Sequence, residues 1–515
     1  MKLNRQNLGL VNILHCCWIV FFLAGFILQN ASPTDTSQLL GVMLCYYVGR
    51  QVNNITILIT LFSIALAIAA AFSLFYLYHN ILFFQESNFL SNSSSIMAIQ
   101  FAIASTVALA ILQNEKRLLF KILLISSACI FTSLIFLLES RTAIIAFMAG
   151  ILFVYYPKFR QWFTKSRLLF ISGSFLLLLI LSLALLVKLD SSAGRWFIWK
   201  TSLQLFRQNW WCGTGIGLFN PSYNHLQADF FSTHTLYGSE AMLADDGYYA
   251  FNEWLHIGIE QGIVGLIFFL LLSFIALKAC IRHINDEFSL AGAVLIPVFI
   301  ACLFSYPLHN WLILFLSVFS LGVLATRSPV ILPVRLPILI KISIPIILFF
   351  ITCIIGYFHI RSSAKVKEAT ELEKEGYRTE AYHLAAKQAA THKSNPSFTI
   401  FYLNLLYETG RLEEAIQWFH QFHTYHCNQK AHAIVGKCYA EIGNLNIAEK
   451  HLLTSLYITP HRLQSRMDLL NFYNQKTDTA KAKYWANELI NYPIKIPTDK
   501  ALLLKNEAEK YLMSH

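Results

Sequence analysis

Apolar runs separated by short polar connectors make up most of the first 360 residues. Because a membrane-spanning helix needs about 20 predominantly apolar residues, the pattern predicts about eleven spans, of which the second is short and the boundary between the fifth and sixth is soft. The sequence therefore predicts an all-α fold built on a polytopic membrane helical bundle. The spans are centred near 11–29, 38–49, 54–78, 95–113, 118–138, 142–156, 168–187, 263–279, 287–306, 310–326 and 337–358.

The connectors between these runs alternate in charge. Connectors such as 49–51, 114–117 and 157–167 are basic, whereas 30–38 and 85–95 contain no Lys or Arg. Since an excess of Lys and Arg marks cytoplasmic loops, the N-terminus is predicted inside and the C-terminus outside. This topology places on the outer side a large loop at about 188–258, Arg141, His309 and the whole tail after Ile360.

Composition supports the same class and excludes others. The chain has 515 residues, of which 56% are hydrophobic and 13% are charged, and its mean hydropathy is +0.51; soluble proteins carry about 25% charged residues. The net charge of +11 resides in the connectors, so no nucleic-acid partner is expected. The spans hold almost no ionisable groups near mid-membrane, which disfavours an ion-coupled transporter.

After Arg361 the composition becomes that of a soluble helical protein, so we divide the chain into a membrane domain (1–360) and a tail domain (361–515). Two tail segments align, LYETGRLEEAIQWF and YAEIGNLNIAEKHL, and alanines recur at intervals of 33 or 34 residues. This period resembles that of the tetratricopeptide repeat. The tail is therefore predicted to be a short α-solenoid that binds a partner or acceptor, or that acts as a spacer. The alanines are Ala381, Ala415, Ala448 and Ala482.

Cysteine and histidine patterns in the tail are weak. The ten cysteines of the chain include no CxxC pair, and a disulfide between Cys427 and Cys438 is left open. The His-rich stretch 420–432 matches no tight ligand spacing, so it predicts a solvated repeat face and no metal site.

The stretch AFNEWLHIGIEQG, at 250–262, carries polar residues just before an apolar run. At 100° per residue, Asn252, His256 and Glu260 lie on one helical face, and Glu253 lies beside them. Two carboxylates, an amide and an imidazole on one face are typical of acid–base chemistry, although a solvated helix end has the same pattern.

A second set of polar residues opens the outer loop, within AGRWFIWKTSLQLFRQNWWCGTGIGLF. Arg195 and Lys200 are suited to a diphosphate, and Trp196 and Trp199 to sugar rings. Interfacial anchoring by Trp and Arg is the alternative. The alternating glycines at 213, 215 and 217 indicate only a flexible turn, because the strand–turn–helix context of a nucleotide site is missing.

Three motifs together resemble the superfamily of O-antigen ligases, O-antigen polymerases and protein O-oligosaccharyltransferases. They are SRTA at 140–143, the GRxxIW segment running into GTGIGLF at 194–219, and FNEWLHIGIEQG. The family signature, H-N-x-x-L-x-x-x-x-E-x-G, is matched by Asn252, Leu255, Glu260 and Gly262. The resemblance covers roughly 118–325, and the repeat tail is similar to that of members from Bacteroidetes.

The chain departs from this signature at Phe251, which replaces the family's His. A phenyl ring cannot accept a proton, so another group must activate the acceptor. We favour Glu253, with His256 as the runner-up. Other candidates are Tyr249, the Asp245–Asp246 pair, and the His309–Asn310 pair at the outer end of another span.

The resemblance implies transfer of a glycan from a polyprenyl-diphosphate donor to an acceptor hydroxyl, with inversion and without a metal or other cofactor. It places the enzyme in the bacterial inner membrane with a periplasmic active site and repeat domain. Arg141, Arg195 and Lys200 would bind the diphosphate; Trp196, Trp199, Tyr249 and His309 would contact glycan or acceptor. The acceptor would be a protein Ser/Thr or lipid A core. A polymerase of repeat units and a non-catalytic scaffold remain the alternatives.

Overall fold

The computed structural model describes residues 6–9, 33–52, 58–60, 62–63, 94–165, 189–286, 288–326, 330–334, 338–393, 395–423 and 426–515. The spans predicted at 11–29 and 168–187, and most of the one at 54–78, lie outside the described residues. What is described is helical apart from turns, loops and two short strands. The prediction of a helical bundle is therefore confirmed, while the number of spans stays a prediction.

The described helices of the membrane domain are α1 (Pro33–Gln51), α2 (Ser94–Asn114), α3 (Leu118–Leu137), α4 (Arg141–Lys165), α8 (Glu253–Arg282), α9 (Ser289–Cys302), α10 (Trp311–Ala325) and the first part of a longer helix, Ile338–Lys374. Among the described residues, four helices are long and apolar enough to cross a membrane. They are α2, α3, α4 over Arg141–Gln161, and α8 over Glu253–Arg282.

Helix α2 lies at the centre of the membrane core. It packs against α3, α4 and α9, and most of its side chains are buried. Many of these are small, and Ala98, Ala102 and Ala108 are fully buried. Small residues let helix backbones approach closely, which is how helices associate when the surrounding lipid is as apolar as their side chains. By contrast, α3 exposes a stripe of large apolar side chains, as expected of a lipid-facing helix.

The two strands join distant ends of the membrane domain. Strand β1 (Gln6–Gly9) pairs antiparallel with β2 (Val330–Val334), with Gln6 opposite Val334 and Leu8 opposite Leu332. Both strands belong to connectors that the charge pattern assigned to one side of the membrane. Their pairing requires that the two strands lie on the same side of the membrane, while the topology of the spans stays a prediction.

The outer loop is folded rather than extended. It comprises α5 (Leu189–Gln208), α6 (Phe219–Thr233), the short α7 (Ser239–Leu243) and an irregular segment that leads into α8. Phe219, Tyr223 and Ala250 form a small core with Leu205 of α5 and Ile259 of α8. This core fixes the loop to the outer end of α8.

The tail begins within a continuous helix, α11 (Ile338–Lys374), which runs through the boundary predicted at 360/361. The remaining helices pack against their neighbours in chain order. They are α12 (Arg378–Ala386), α13 (Ala389–His392), α14 (Pro396–Glu408), α15 (Leu412–His423), α16 (Gln429–Glu441), α17 (Leu445–Ile458), α18 (Leu463–Gln475), α19 (Thr479–Asn491) and α20 (Asp499–Ser514).

One turn recurs through the tail at the predicted period. Gly376, Gly410, Gly443 and Thr477 all have positive φ and follow one another at intervals of 34, 33 and 34 residues. After each, the next N–H bonds the carbonyl five residues back, as in Asn444 N to Tyr439 O at 2.8 Å. These are Schellman-type helix ends. The four recurring alanines are fully buried, so the repeat is structural, while its assignment to the tetratricopeptide family stays a prediction.

The tail packs directly on the outer loop through amide side chains of α6. Asn224 Nδ2 donates to Cys427 O (2.7 Å), Asn220 Oδ1 accepts from Cys427 N (2.9 Å), and Gln227 Nε2 donates to Ile458 O (2.6 Å). Asp245 pairs with Arg462 at 3.0 Å. Buried amide–backbone bonds are costly to break, because each leaves an unsatisfied polar group. The solenoid is therefore fixed to the loop.

We expect opposite stability changes at two equivalent turn positions. Thr477 is a β-branched residue at φ 59°, a conformation that costs an L-residue about 1–2 kcal/mol. Thr477→Gly should raise the thermal midpoint of the detergent-solubilised protein, whereas Gly443→Ala, at φ 89°, should lower it. Midpoint shifts of the same sign in both variants would contradict the shared turn.

Candidate active site

The outer end of α8 is shaped by a cap and a kink. Asn252 caps the helix by accepting from Leu255 N at 3.0 Å, and its Nδ2 donates to Leu303 O at 3.1 Å. Both polar atoms of Asn252 are thus engaged in holding the helix start. Ten residues later, Gly262 has φ 65° and breaks the helix. The polar face predicted from 252 to 260 is the stretch of about two turns between these two features.

The glycine-rich segment 210–217 fills the kink. Thr214 N donates to Ile259 O (2.8 Å), Gly215 N donates to Glu260 O (2.9 Å), and Ile263 N donates to Trp210 O (2.7 Å). A Cβ on Gly213 would lie 2.3 Å from Glu260 O. Gly213, interpreted from sequence as part of a flexible turn, is instead required because the two backbones are in direct contact at this position.

Glu260 is buried, and its carboxylate binds the backbone just after the glycine-rich segment, at Phe219. Its Oε1 accepts from Phe219 N at 3.2 Å and lies 3.2 Å from His256 Nε2. His256 Nδ1 is 3.4 Å from Ala250 N, which can only donate. His256 is therefore the neutral tautomer with its proton on Nε2, donated to Glu260. Glu260 and His256 position the backbone at 219 and 250, and neither ring nitrogen of His256 is left as a base.

Glu253 forms a second carboxylate–imidazole pair. Its Oε1 accepts from Leu308 N at 2.7 Å and lies 3.4 Å from His309 Nδ1. The Glu253 side chain is 2% exposed, whereas that of His309 is 32% exposed. Since a carboxylate only accepts, Nδ1 carries the proton, and Nε2 keeps its lone pair. Nε2 forms no hydrogen bond within the described part of the chain.

The electrostatic environment of His309 follows from these contacts. Burial acts to lower the pKa of His309, but the adjacent Glu253 carboxylate and the more distant Glu260 outweigh it, and the pKa is raised. An imidazole whose Nδ1–H is held by a buried carboxylate is the arrangement found in activated general bases. The sequence ranked Glu253 first and His309 third among the base candidates; in the structure the Glu253 carboxylate lies against the His309 imidazole.

The arginines reach the same group of side chains. Arg195 Cζ lies 5.8 Å from the centre of the Phe251 ring. Burial lowers the pKa of Arg195, and the positive charge of Arg141 lowers it further, so the two positive charges interact. Two cations that repel each other favour an anionic ligand with more than one charge, such as a diphosphate.

An aromatic wall connects the arginines with the imidazoles. Tyr306 stacks on Tyr249 at 4.0 Å between ring centres and meets Phe251 edge-on at 5.2 Å. Tyr249 in turn lies 4.8 Å from His309. Phe251 itself adopts φ 51°, an unusual backbone conformation for an aromatic residue and one that clusters at functional sites. The position that departs from the signature is thus part of the wall.

Other predicted site residues lie apart from this cluster. Lys200 forms an exposed ion pair with Glu240 of α7 at 2.8 Å, and Trp196 is 67% exposed. Trp199 donates from Nε1 to Ala250 O at 2.9 Å, which supports the loop before Phe251. Asp246 accepts from Gln429 N at 3.1 Å and so holds the solenoid.

Tyr306 contacts three members of the cluster but was not predicted as a site residue from the sequence. Its only sequence signal is that it lies three residues before His309, at the predicted outer end of a span. The first residue of α4, Arg141, follows Ser140, whose Oγ accepts from Ala143 N at 3.4 Å. The SRTA motif therefore begins a helix and places its arginine at the helix start.

These features define a multi-pass membrane protein with paired cations and a carboxylate-supported imidazole at one end of its helices. Residues 127–270 match the family model described as O-antigen ligase. The match supports the O-antigen ligase superfamily, and with it an enzyme of the glycosyltransferase type. It spans all three sequence motifs but ends before His309. No curated protein is significantly similar to the chain.

The kink at Gly262 gives a prediction for the site. Gly262→Ala should destabilise the protein, because a left-handed backbone costs an L-residue about 1–2 kcal/mol and the new Cβ would lie 2.1 Å from Trp211 O. The measurement is hydrogen exchange at Thr214 and Gly215, which should become faster. Gly258→Ala is the matched control, since its Cβ would meet Phe206 at an ordinary 3.4 Å. Equal protection in both variants would contradict the role given to the kink.

Proposed function

We propose that the protein transfers a glycan from a polyprenyl-diphosphate donor to an acceptor hydroxyl at the outer surface of the bacterial inner membrane. The observation that carries this proposal is the convergence of Arg141 and Arg195 with the Glu253–His309 pair around one aromatic wall. The family match supports the glycan-transfer class, and the donor it implies is a polyprenyl-linked glycan.

In this mechanism the two arginines bind the diphosphate and stabilise the charge that develops as it leaves. His309 Nε2 accepts the proton of the acceptor hydroxyl, while Glu253 holds Nδ1–H and stabilises the imidazolium. The acceptor oxygen forms a bond to the anomeric carbon from the opposite face. The bond from that carbon to the diphosphate oxygen breaks, and its electron pair leaves with the diphosphate. The product has inverted configuration, and the step uses no metal.

The aromatic wall would bind the reacting sugar. Tyr249, Tyr306 and Phe251 present ring faces and edges between the cations and the base, which is where the reacting sugar must lie. Trp199 supports this wall from behind through Ala250 O. Lys200, Asn252 and Glu260 have structural roles here, because the polar atoms that would contact a substrate already hold protein groups.

The packing of the solenoid against the outer loop favours a ligase with a large acceptor, a protein or lipid A core, over a polymerase. A groove of about 1050 Å³ is lined by Asp245 of the outer loop and by solenoid residues such as Lys430 and Arg462. A surface that continues from the loop onto the repeats gives a large acceptor an additional docking site.

Transfer in vitro tests the proposal. The full-length protein in nanodiscs would receive a polyprenyl-diphosphate glycan and either a Ser/Thr-bearing protein or lipid A core. Arg195→Ala should lower kcat/KM by about 10²–10³-fold, and His309→Ala by about 10²–10⁴-fold. Lys200→Ala, a cation five residues further along α5, should retain transfer.

Each outcome of this assay has a meaning. A single mass increase on one acceptor identifies a ligase, and a ladder of repeat units in the absence of both acceptors identifies a polymerase. If the wild-type protein binds the donor but transfers nothing, the non-catalytic scaffold would be the only remaining alternative. Full activity in His309→Ala would overturn the assignment of the base.

The pH profile separates the roles of Glu253 and His309. A base must be neutral, so activity should fall as the pH drops through the raised pKa of His309. Glu253→Gln keeps an acceptor for Leu308 N but removes the charge that raises this pKa. The acidic limb of the kcat/KM profile should therefore move to lower pH as kcat declines. An acidic limb that vanishes altogether in Glu253→Gln would instead make Glu253 the titrating base.

A further inference from the structure

A cluster of unassigned metal-ligating side chains lies where the outer loop meets the solenoid. His225 is on α6 of the loop, His423 ends α15, and Cys427 precedes α16. One ligand atom from each, two imidazole nitrogens and the thiol sulfur, lies within 4.8 Å of the others. Sequence spacing predicted no metal here because one of the three ligands comes from far earlier in the chain.

The two imidazoles are available as ligands. Neither His225 nor His423 forms a hydrogen bond within the described residues, although their rings lie 4.7 Å apart. Both rings are partly buried, at the junction of the outer loop and the solenoid. Half-buried imidazoles without hydrogen bonds are polar groups still lacking a partner.

We propose that His225, His423 and Cys427 bind one Zn²⁺ ion that joins the outer loop to the solenoid. Imidazole and thiolate are the ligands that Zn²⁺ prefers, with bonds of about 2.0–2.3 Å. Tetrahedral geometry with such bonds needs ligand atoms about 3.4 Å apart, so the ligand atoms, which lie within 4.8 Å of one another, would move closer together when the ion binds. Three protein ligands leave the fourth position to water.

A second group of side chains supports the thiolate. His432 Nε2 lies 3.5 Å from Cys427 Sγ, and His432 Nδ1 lies 3.0 Å from His451 Nδ1. With its proton on Nε2, His432 donates to the sulfur and accepts from His451. When the ion binds, the thiol proton is released to solvent and the sulfur lone pair forms the bond to zinc. Such outer hydrogen bonds orient ligands and strengthen metal binding.

The surrounding contacts prepare this site for an ion. The backbone of Cys427 is held by Asn224 at its carbonyl and by Asn220 at its N–H, and both asparagines lie on the same helix as His225. The ligand from the loop and the ligand from the solenoid are therefore held in fixed positions relative to each other before the ion binds. Ordering of this kind lowers the entropic cost of binding.

Cobalt is the probe, because Co²⁺ substitutes for Zn²⁺ and a thiolate ligand gives it an intense near-ultraviolet charge-transfer band. The full-length protein in detergent would be stripped with a chelator and titrated with Co²⁺, then with Zn²⁺. We expect the band to saturate at one Co²⁺ per chain and to be abolished by Zn²⁺. His225→Ala, a change at a half-buried position, should weaken Co²⁺ binding at least tenfold.

Cys427→Ser should remove the band, whereas Cys438→Ser, which changes another buried free cysteine of the solenoid, should retain it. No band in the wild-type protein, or an unchanged band in Cys427→Ser, would overturn the site. Unchanged affinity in His225→Ala would overturn the link to the outer loop. These spectroscopic readouts measure metal binding directly, so their outcome does not depend on whether the protein transfers a glycan.

Discussion

Two buried carboxylates on one face of α8 organise the rest of the site. Glu253 and Glu260 lie about two turns apart, and each is neutralised in the same way, by one backbone N–H and one imidazole. An unpaired buried carboxylate would be very costly, so the chain must bring partners to both. Leu308 N and His309 come from the segment 307–309, and Phe219 N comes from the start of α6, whereas His256 lies on α8 itself. Satisfying these two charges therefore draws the outer ends of several helices together.

The same pairing gives the two carboxylates different roles. At Glu260 the imidazole is buried, and its second nitrogen is used by the backbone of Ala250. At Glu253 the imidazole is a third exposed, and its second nitrogen is unused within the described residues. The first pair is thus enclosed and supports the loops, while the second remains partly exposed. The difference arises from where each histidine lies and not from residue type.

Local patterns in the sequence were sufficient for much of this molecule. Hydropathy and charge predicted the helical bundle, and the spacing of the alanines predicted the period at which the helix ends recur in the tail. Helical periodicity is a local property, so the sequence also placed the polar residues of 252–260 on one face. The partners of that face could not be derived in this way, because His309 reaches Glu253 through a contact between distant segments. Likewise the role of Gly213 depends on a kink elsewhere in the chain, and the order among base candidates could not be derived from periodicity.

The attachment of the solenoid to α6 has a geometric consequence for any acceptor held on the repeats. A domain on a flexible linker would present its cargo over a wide range of distances. Here amide bonds to Cys427 and Ile458, together with the continuous helix α11, remove that freedom. For the glycan transfer proposed above, an acceptor bound to the repeats would receive the glycan only on a hydroxyl at a fixed distance from its bound part. Selectivity for the modified position would follow from distance as well as from local sequence.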